Sequence, residues 1–481
     1  MREPAPVRRP VALTVAGSDS GGGAGVQADL QTFAAHDVHG TSAVTAVTAQ
    51  HTRGVESTHV LPIEEVAAQV DAVTDDFAVG AVKTGMLATA DVVETVHDRL
   101  ATVDAPVVVD PVMVATSGDR LLDTAAERAY DDLLADATLA TPNVDEAEVL
   151  AERDVDTVAD ARDAALAIQE TGVDAVLVTG GHLHDADERN PKPSRNVVAD
   201  VLVTDDDVHT FEHPRVANAT THGSGCTLSA AIAARLAHGD GDECDESNGD
   251  DGVGDGDDLR RGALVDAVDA ATGFLERAVR YHHDVGKGGG SVQHLVDART
   301  AGAIPDVARN VERVVATLEN ATAPVAELLP EVGTNVVGAP PHAERVADTV
   351  AVDGRLARTH RGVRATGGVR PGASSHVARY LLAAREHHPE LRYAGNCRYD
   401  DSVAEALERV EWPVAAYDRS DEPADAPGTM DWGADQAYRG EGPRPVAVVD
   451  RGAHGKEPMT KIATETPDAL LDRLTTLADE R

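Results

Sequence analysis

The run Thr-His-Gly-Ser-Gly-Cys-Thr at positions 221–227 places two glycines and a thiol directly before an apolar stretch. Glycines let backbone N–H groups converge where a helix begins, and the helix dipole favours an anion there. Gly223, Ser224 and Gly225 are therefore predicted to form an anion hole. Cys226 would lie in the first helical turn, where the same field lowers the pKa of a thiol. The pattern indicates phosphoryl transfer, although a glycine-rich cap of an ordinary helix is an equally good interpretation of the run alone.

Other polar and glycine-rich runs also follow apolar segments. They are AGSDSGGGAG at 16–25, Asp110-Pro111, Thr141-Pro142-Asn143 with Glu146, and Thr179-Gly180-Gly181-His182. The first run is not spaced as G-x-G-x-x-G, so it does not indicate a dinucleotide site by itself. Ligands of parallel sheets bind beyond the carboxyl ends of the strands. We therefore expect these runs to share one edge of a sheet with the anion hole.

The first 300 residues alternate short apolar runs with helical periodicity. Strands are predicted at 11–16, 43–48, 81–82, 107–109, 139–141 and 175–178, with helices near 26–35, 63–73, 91–100, 124–134 and 158–170. Strands that are apolar throughout and alternate with helices are typical of a parallel sheet covered on both faces. The sequence therefore predicts an α/β domain with a mostly parallel sheet.

A second, smaller α/β or α+β domain is predicted after this alternation stops near Ile304 and Pro305. The predicted domains span 1–303 and 304–481. Within the first, residues 239–258 contain ten acidic residues and no basic one, a composition typical of a disordered, solvated insertion.

The chain of 481 residues has 83 acidic and 42 basic residues, a net charge of −41. Nucleic acids and anionic membranes bind basic surfaces, so neither partner is expected. Only five residues are lysine, at positions 83, 192, 287, 456 and 461. Such acidity with few lysines suggests a salt-rich cytoplasm, where screening weakens self-repulsion. Where lysine is so scarce, the four that lie beside glycines or in motifs are candidates for phosphate contacts: Lys83, Lys287, Lys456 and Lys461. Three cysteines without zinc spacing, no leader and no long apolar span predict a reducing, cytoplasmic location.

The first domain resembles the hydroxymethylpyrimidine/phosphomethylpyrimidine kinases of thiamine biosynthesis, which are ribokinase-like. The matching stretches within residues 10–297 are AGSDSGGGAGVQADLQTF, VTAQHTRGV, VKTGML, VVVDPVMVATSGDRLL, TPNVDEAEVL, TGGH, THGSGCTLSAAIA and VGKGGGSVQH. Pyridoxal kinases share this fold but place Asp where this chain has Cys226, so the cysteine favours the pyrimidine substrate. The resemblance implies ATP-dependent phosphorylation of 4-amino-5-hydroxymethyl-2-methylpyrimidine and then of its monophosphate at one site.

The resemblance also implies roles for individual residues. The pyrimidine pocket would be lined by Gly17, Asp19, Ala24, Gln50 and Met86, with the Gln50 amide pairing with the aminopyrimidine edge. ATP and Mg²⁺ would be organised by Asp110, Asn143 and Glu146, with the metal near Asp110 and Glu146. Cys226 would deprotonate or orient the substrate hydroxyl. As structural alternatives, Asp110 and Asn143 are strand-end caps and Met86 is core.

One position departs from the family pattern. Members often carry Lys before Gly-Gly-His, whereas this chain has Thr179. A nucleotide contact from a lysine at that position is therefore lost. Lys192 and Lys287 are the candidates to replace it.

The second domain resembles the archaeal-type thiamine-phosphate synthase domain, from about residue 306 to the end. Its motifs are EVGTN at 331–335, DGR at 353–355, GASSHVAR at 372–379, NCRY at 396–399, DRSDEP at 418–423 and DRGAHGKEP at 450–458. By this resemblance Arg355 and His376 would be catalytic, and Arg398, Lys456 and Lys461 would bind phosphate groups. His376 as a helix cap, and the three cations as surface charges, are the alternatives.

The two resemblances together imply that the pyrimidine diphosphate is joined to thiazole phosphate with release of pyrophosphate. The expected partners are small-molecule substrates: hydroxymethylpyrimidine, its phosphates and thiazole phosphate. The expected assembly is a homo-oligomer. Two alternatives remain open: a second domain that senses thiamine phosphates without catalysis, and a pyridoxal kinase in the first domain.

Overall fold

A computed structural model describes the chain over residues 4–113, 126–181, 183, 197–205, 207–216, 222–239, 256–321, 323–360, 362–423, 426, 428–440, 442–453 and 455–481. Its contacts divide the chain into two compact units, Met1–Val296 and Asp297–Arg481. Each unit has its own sheet and its own hydrophobic core.

The first unit is built on a nine-stranded sheet in the order β3-β2-β1-β4-β5-β6-β7-β8-β9. The strands are β1 (Val11–Ser18), β2 (His39–His51), β3 (Gly54–Val60), β4 (Val79–Thr84), β5 (Val107–Val109), β6 (Leu139–Ala140), β7 (Val176–Val178), β8 (Val197–Val203) and β9 (Val208–Pro214). Pairing is parallel from β2 to β7 and antiparallel at both ends of the sheet. The predicted doubly covered, mostly parallel sheet is confirmed.

Helices cover both faces of this sheet. They are α1 (Gly25–Ala35), α2 (Ile63–Thr74), α3 (Ala90–Leu100), α4 (Ala126–Ala135), α5 (Val144–Ala151), α6 (Val158–Gln169), α7 (Ser224–His238) and α8 (Gly256–Arg280). One core cluster joins α2 to α6 with the sheet, and another joins α1, α7 and α8 with it. The carboxyl ends of β1, β2 and β4 to β7 therefore form one edge, at which the polar runs are gathered.

The predicted acidic insertion spans 239–258, but the structure places its last three residues in helix α8. Gly239 terminates α7, and α8 already begins at Gly256. Residues 240–255 lie outside the described residues.

The second unit contains a seven-stranded sheet in the order β14-β11-β10-β15-β18-β17-β16 and a two-stranded ribbon, β12-β13. The strands are β10 (Val336–Gly338), β11 (Val350–Val352), β12 (Leu356–Thr359), β13 (Gly362–Ala365), β14 (Val369–Pro371), β15 (Tyr393–Arg398), β16 (Val414–Tyr417), β17 (Ala447–Asp450) and β18 (Met459–Thr464). Only β16 and β17 pair in parallel among these ladders. The second domain thus combines helices with a mostly antiparallel sheet.

Its helices are α9 (Val296–Glu319), α10 (Ala323–Glu327), α11 (His376–His387), α12 (Asp401–Arg409), α13 (Thr429–Tyr438) and α14 (Pro467–Glu480). Side chains of α11 and α13 pack in one core cluster, and those of α9, α12 and α14 pack in another. Helix α9 runs across the sequence-based boundary at 303/304, with Pro305 inside it.

Candidate functional site

The anion-hole residues lie at the start of α7. Gly223 precedes the helix with φ +83°, and a Cβ on it would lie 1.9 Å from the carbonyl oxygen of Gly23. Only glycine fits this left-handed and crowded position. Gly225 is exposed and Ser224 is half-buried. The tight approach therefore fixes the start of α7 against the loop that follows β1 while leaving backbone N–H groups at its first turn.

Cys226 lies in the first turn of α7 and is half-buried. Burial, together with the carboxylates of Asp110 and Asp29, raises the pKa of its thiol to about 12, against the opposing field of Lys83. The expectation that the helix field lowers the pKa of this thiol is wrong, because burial and two neighbouring carboxylates outweigh it. Cys226 is therefore a neutral thiol at neutral pH.

Asp19 shapes the glycine-rich loop after β1. Its carboxylate accepts hydrogen bonds from the backbone N–H groups of Gly21 (2.7 Å), Gly23 (2.9 Å) and Ala24 (2.9 Å). His222 Nε2 lies 3.3 Å from Asp19 Oδ2. Burial disfavours the carboxylate, but His222 and the N–H groups lower the pKa of Asp19. This ionised side chain thus ties the loop to the segment that leads into α7.

The other residues predicted for the pyrimidine pocket lie close to this loop. Met86 is nine-tenths buried and lies over Gly17, where a Cβ would be 2.3 Å from the Met86 methyl. Gln50 is half-buried, and its side-chain oxygen accepts a hydrogen bond from Thr48 (3.2 Å). The side-chain amide nitrogen of Gln50 carries no hydrogen bond among the contacts of the described residues. It is therefore available to a ligand at this edge.

Asp110 follows β5 and is buried beside α7. Its Oδ2 accepts a hydrogen bond from Ser229 (3.2 Å) on α7 and lies 3.7 Å from Lys83 Nζ. Lys83 is fully buried on β4 and donates to both carboxylate oxygens of Asp29 at 3.1 Å. The expectation that Lys83 meets a phosphate is not supported, because its ammonium is paired with Asp29 inside the core. Burial raises the pKa of Asp110 in spite of Lys83.

Asn143 and Glu146 form a capping box at the start of α5. Asn143 Oδ1 accepts from the Glu146 N–H (2.9 Å), and Glu146 Oε2 accepts from the Asn143 N–H (3.0 Å). The Asn143 side chain therefore acts as a cap, which was the structural alternative for this residue. Glu146 is buried, and burial together with the charge of Asp110 raises its pKa to about 8. Two buried carboxylates thus follow adjacent strands, and the charge of Asp110 acts on Glu146.

The position that lacks the family lysine lies at the end of β7. Thr179 forms an isolated parallel β-bridge with Asn143. The next residue, Gly180, donates its N–H to Asp200 Oδ1 (2.8 Å). Of the two candidate replacements, Lys287 is exposed on a loop, and its backbone N–H donates a hydrogen bond to Thr52 Oγ1 (3.3 Å). Lys192 lies outside the described residues. Among the described residues, no group of three or more His, Cys, Asp or Glu side chains is arranged to hold a metal ion.

In the second unit, basic residues collect at one edge of the sheet. The pairing places the ends of β11, β15, β16 and β17 and the starts of β10 and β18 at the same edge. We call it the basic edge, because five cations lie on or next to those strand ends: Arg355, Arg398, Arg419, Arg451 and Lys456. Carboxylates lie at the same edge, among them Asp353, Asp400 and Asp450. An anionic ligand is therefore favoured where a cation of this edge is not fully paired.

The two residues predicted to be catalytic are both exposed. Arg355 follows β11, and its guanidinium donates to the carbonyl of Val332. His376 is the first residue of α11, and its Nδ1 lies 3.3 Å from Ser375 Oγ, which is not a capping bond to the helix backbone. One turn later, the ring of Tyr380 lies 5.6 Å from Lys461 Nζ. Tyr380 of α11 is therefore close to the buried ammonium of Lys461 on β18.

The three predicted phosphate-binding cations differ in their surroundings. Arg398 is half-buried with Nε 3.1 Å from Asp400 Oδ2, and Lys456 is exposed in a turn before β18. Lys461 has only 2% of its side chain exposed, and its ammonium contacts Asp450 Oδ2 (2.9 Å). A phosphate contact by Lys461 would require that buried pair to open.

The first unit matches the phosphomethylpyrimidine kinase family over residues 19–243. The hydroxymethylpyrimidine/phosphomethylpyrimidine kinase of Streptomyces coelicolor is 49% identical over 235 residues, which cover 49% of this chain and 83% of the relative. That of Synechococcus elongatus is 41% identical over 287 residues, 60% of this chain and 97% of the relative. The chain belongs to the hydroxymethylpyrimidine/phosphomethylpyrimidine kinase family.

Residues 310–476, beyond this kinase domain, match the thiamine-phosphate synthase ThiN family. The thiamine biosynthetic bifunctional enzyme TH1 of Arabidopsis thaliana is 41% identical over 286 residues, which cover 58% of this chain and 48% of that protein. The chain therefore combines a thiamine-biosynthesis kinase with a thiamine-phosphate synthase domain.

Solved structures agree with the fold of the kinase domain. An ADP complex of Bacillus subtilis pyridoxal kinase has a TM-score of 0.50 and 31% identity, covering 60% of this chain and 98% of that one. Staphylococcus aureus pyridoxal kinase in complex with AMP-PCP has a TM-score of 0.50 and 27% identity, covering 60% of this chain and 95% of that one. These nucleotide complexes accord with ATP use by the kinase domain. Over the described residues, no helix is long and apolar enough to cross a membrane.

Sequence reasoning missed several buried carboxylates that organise these sites: Asp29, Asp200 and Asp450. Each lies within a helix or strand. Asp29 and Asp450 fall inside quoted motifs, but the sequence pattern assigned no role to either of them. The available signal was an acidic residue inside an apolar run, as in VVADVLV at 197–203. A charge there is buried only if it is paired.

Proposed function

We propose that one chain carries out two consecutive steps of thiamine biosynthesis. The kinase domain phosphorylates the pyrimidine alcohol and then its monophosphate, and the synthase domain joins the diphosphate to thiazole phosphate with release of pyrophosphate. The observation that carries the proposal is the meeting of the α7 start, the Asp19 loop and Asp110 at one sheet edge, in a chain that also contains a synthase domain.

In the kinase domain, Gly17, Asp19, Ala24, Gln50 and Met86 form the pyrimidine pocket. The Asp19 carboxylate acts through the loop that it fixes, whereas the Gln50 amide pairs with the ring edge. Gly223, Ser224 and Gly225 hold the phosphoryl group as negative charge develops on it. Because the Cys226 thiol is neutral, its proposed role is to orient the substrate hydroxyl rather than to act as a preformed thiolate base.

The site also suits a magnesium ion. The Asp110 and Glu146 carboxylates are hard oxygen donors. Burial raises the pKa of both, and the charge of Asp110 raises that of Glu146 further. A divalent cation there would relieve that repulsion, and when bound it would neutralise charge on the ATP phosphates. Asp110 and Glu146 would hold the ion, while Asn143 keeps Glu146 in place through the capping box.

In the synthase domain, Arg355 and His376 are the proposed catalytic pair. Both side chains are exposed: Arg355 follows β11 at the basic edge, and His376 is the first residue of α11. Arg398 and Lys456 would bind phosphate groups at this edge. Lys461 is buried and paired with Asp450, so we propose that it does not contact the phosphate groups directly and adds positive charge near the basic edge.

We further propose a cytoplasmic homo-oligomer that works in a salt-rich cytoplasm. The support for the salt-rich cytoplasm is compositional: 83 acidic residues stand against 42 basic ones, of which only five are lysine. Salt screens the repulsion among such charges. Kinase activity should therefore rise as KCl is raised from about 0.1 to 2 M, and a decline over that range would oppose the proposal.

The synthase claim is tested on the full chain supplied with the pyrimidine diphosphate and thiazole phosphate, without ATP. Release of pyrophosphate together with thiamine phosphate supports it. Binding of both compounds without turnover would instead favour a sensing domain. Two further measurements test the kinase claim: a Cys226→Ala variant should lose most of its turnover, and pyridoxal should be phosphorylated more slowly than the pyrimidine.

A further inference from the structure

Arg419 lies at the basic edge, two residues beyond the end of β16. Its guanidinium donates two hydrogen bonds to one carboxylate: Nε to Asp450 Oδ1 (2.9 Å) and Nη2 to Asp450 Oδ2 (2.7 Å). Only 12% of the Arg419 side chain is exposed. Arg419 lies in the motif DRSDEP at 418–423, from which the sequence predicts no role for it.

Asp450 is fully buried and is shared by other donors. Its Oδ2 accepts from the Tyr417 hydroxyl (2.8 Å) and from Lys461 Nζ (2.9 Å), and its Oδ1 accepts from the Gly452 N–H (3.0 Å). Lys461 also contacts the Tyr417 hydroxyl and lies 4.9 Å from the centre of that ring. We call Tyr417, Arg419, Asp450 and Lys461 the Asp450 cluster. It ties the ends of β16 and β17 to β18.

The Asp450 cluster holds one more positive charge than negative. Two cations, Arg419 and Lys461, share the single Asp450 carboxylate, and no second carboxylate in the described residues hydrogen bonds or ion-pairs with either cation. Glu422 affects Arg419 only through its field. Withdrawing a cation from water is costly unless it is paired. An anionic ligand bound beside Arg419 would thus compensate the surplus positive charge of the cluster.

Arg444 offers the contrasting case in the same domain. It precedes β17, at the opposite edge of the sheet, and its guanidinium contacts two carboxylates, Glu390 and Glu465. Its charge is therefore compensated within the protein. This comparison shows that a partly buried arginine here does not by itself require a ligand; the surplus at Arg419 distinguishes it.

The geometry points to Arg419 as a phosphoryl-binding residue of the synthase domain, with Asp450 and Lys461 as positioning residues. A guanidinium has five N–H donors, and Asp450 takes two of them, which leaves three for a ligand at the exposed tip. The planar fork of arginine suits phosphoryl oxygens. The inference rests on the proposed synthase function, and the phosphoryl group belongs either to the pyrimidine diphosphate or to thiazole phosphate.

The test compares three variants of the full chain: Arg419→Gln, Arg419→Lys and, as matched control, Arg444→Gln. Affinity for inorganic pyrophosphate is measured by calorimetry, and KM is measured separately for each phosphorylated substrate. Losing a charged hydrogen-bond donor should weaken binding about tenfold or more. Arg419→Gln is expected to lose that affinity with its Tm close to wild type. Arg419→Lys keeps the charge but loses the planar fork, so it should bind pyrophosphate more weakly than wild type and more tightly than Arg419→Gln. Arg444→Gln should bind normally.

The substrate whose KM rises identifies the source of the phosphoryl group. Folded Arg419→Gln with unchanged pyrophosphate affinity and both KM values unchanged would overturn the inference, as would equal losses in Arg419→Lys and Arg419→Gln, which would indicate a structural role. If Arg419→Gln does not fold, the Arg419→Lys result decides. If the wild-type chain binds pyrophosphate through Arg419 but releases none from the substrates, the proposed synthase function is contradicted while the proposed binding role of Arg419 stands.

Discussion

At the scale of single residues, the kinase site is governed by burial. Cys226 faces Lys83, which lowers the pKa of its thiol, but burial and the carboxylates of Asp110 and Asp29 outweigh that effect. The identity of the residue was evident from its motif. Its protonation state was not, because Asp29 is remote in sequence and is placed beside Lys83 only by the folded sheet.

We predict that Cys226 reacts slowly with iodoacetamide at pH 7 and that its rate keeps rising beyond pH 9. With a thiol pKa of about 12, the thiolate fraction grows about tenfold per pH unit over this range. The measurement is the alkylation rate at Cys226 by mass spectrometry, with Cys226→Ser as control. A rate that levels off below pH 8 would show that the helix field dominates after all.

At the scale of elements, the strands and helices of the kinase domain were largely predictable from sequence. Central strands such as β5 are apolar throughout and are bounded by turn residues, so pattern alone locates them. Strands β3, β8 and β9 were not predicted. Strands β3 and β9 are partly exposed and their alternation with polar residues is weak, and the apolar run of β8 is interrupted by Asp200. Helix α5 was missed because it has only eight residues, although its capping box marks its start.

The junction between the start of α7 and the β1 loop predicts the effect of Gly223→Ala. A methyl group would collide with the Gly23 carbonyl at a residue whose φ is +83°. We expect a lower Tm and loss of most kinase activity, measured by thermal unfolding and phosphoryl transfer. Gly262→Ala in α8 is the control, since a Cβ there meets nothing within 4 Å. Equal behaviour of the two variants would refute the role of the junction.

The capping box of α5 gives a second prediction at this scale. Asn143→Ala should cost about 1 kcal/mol of unfolding free energy and should also raise KM for ATP, because Glu146 is no longer held. Thr157→Ala removes the equivalent box of α6, which is not assigned to the site. It should cost about the same stability without changing KM. An unchanged KM for ATP in Asn143→Ala would limit Asn143 to stability.

At the scale of the whole molecule, the two sets of proposed site residues fall in two compact units. The proposed kinase residues lie within residues 17–226 and the proposed synthase residues within 355–461. The acidic composition is shared along the chain and was read directly from the sequence. The basic edge was not, because its cations come from separate strand ends that only the sheet order brings together.

Single substitutions should therefore separate the two activities. Cys226→Ala should lose kinase turnover and keep synthesis from supplied pyrimidine diphosphate, whereas His376→Ala should do the reverse. Both are measured on full chains whose Tm matches wild type. Mixing the two variants should restore thiamine phosphate formation from the pyrimidine alcohol. If either variant lost both activities while folded, the assignment of one reaction to each unit would fail.

The central claim is that this chain converts the pyrimidine alcohol to thiamine phosphate without help from another enzyme. The direct measurement supplies the purified wild-type chain with the alcohol, ATP, Mg²⁺ and thiazole phosphate, and follows products by chromatography. We predict that mono- and diphosphate appear in turn, followed by thiamine phosphate and pyrophosphate in equal amounts. Accumulation of the pyrimidine diphosphate with no thiamine phosphate would contradict the claim.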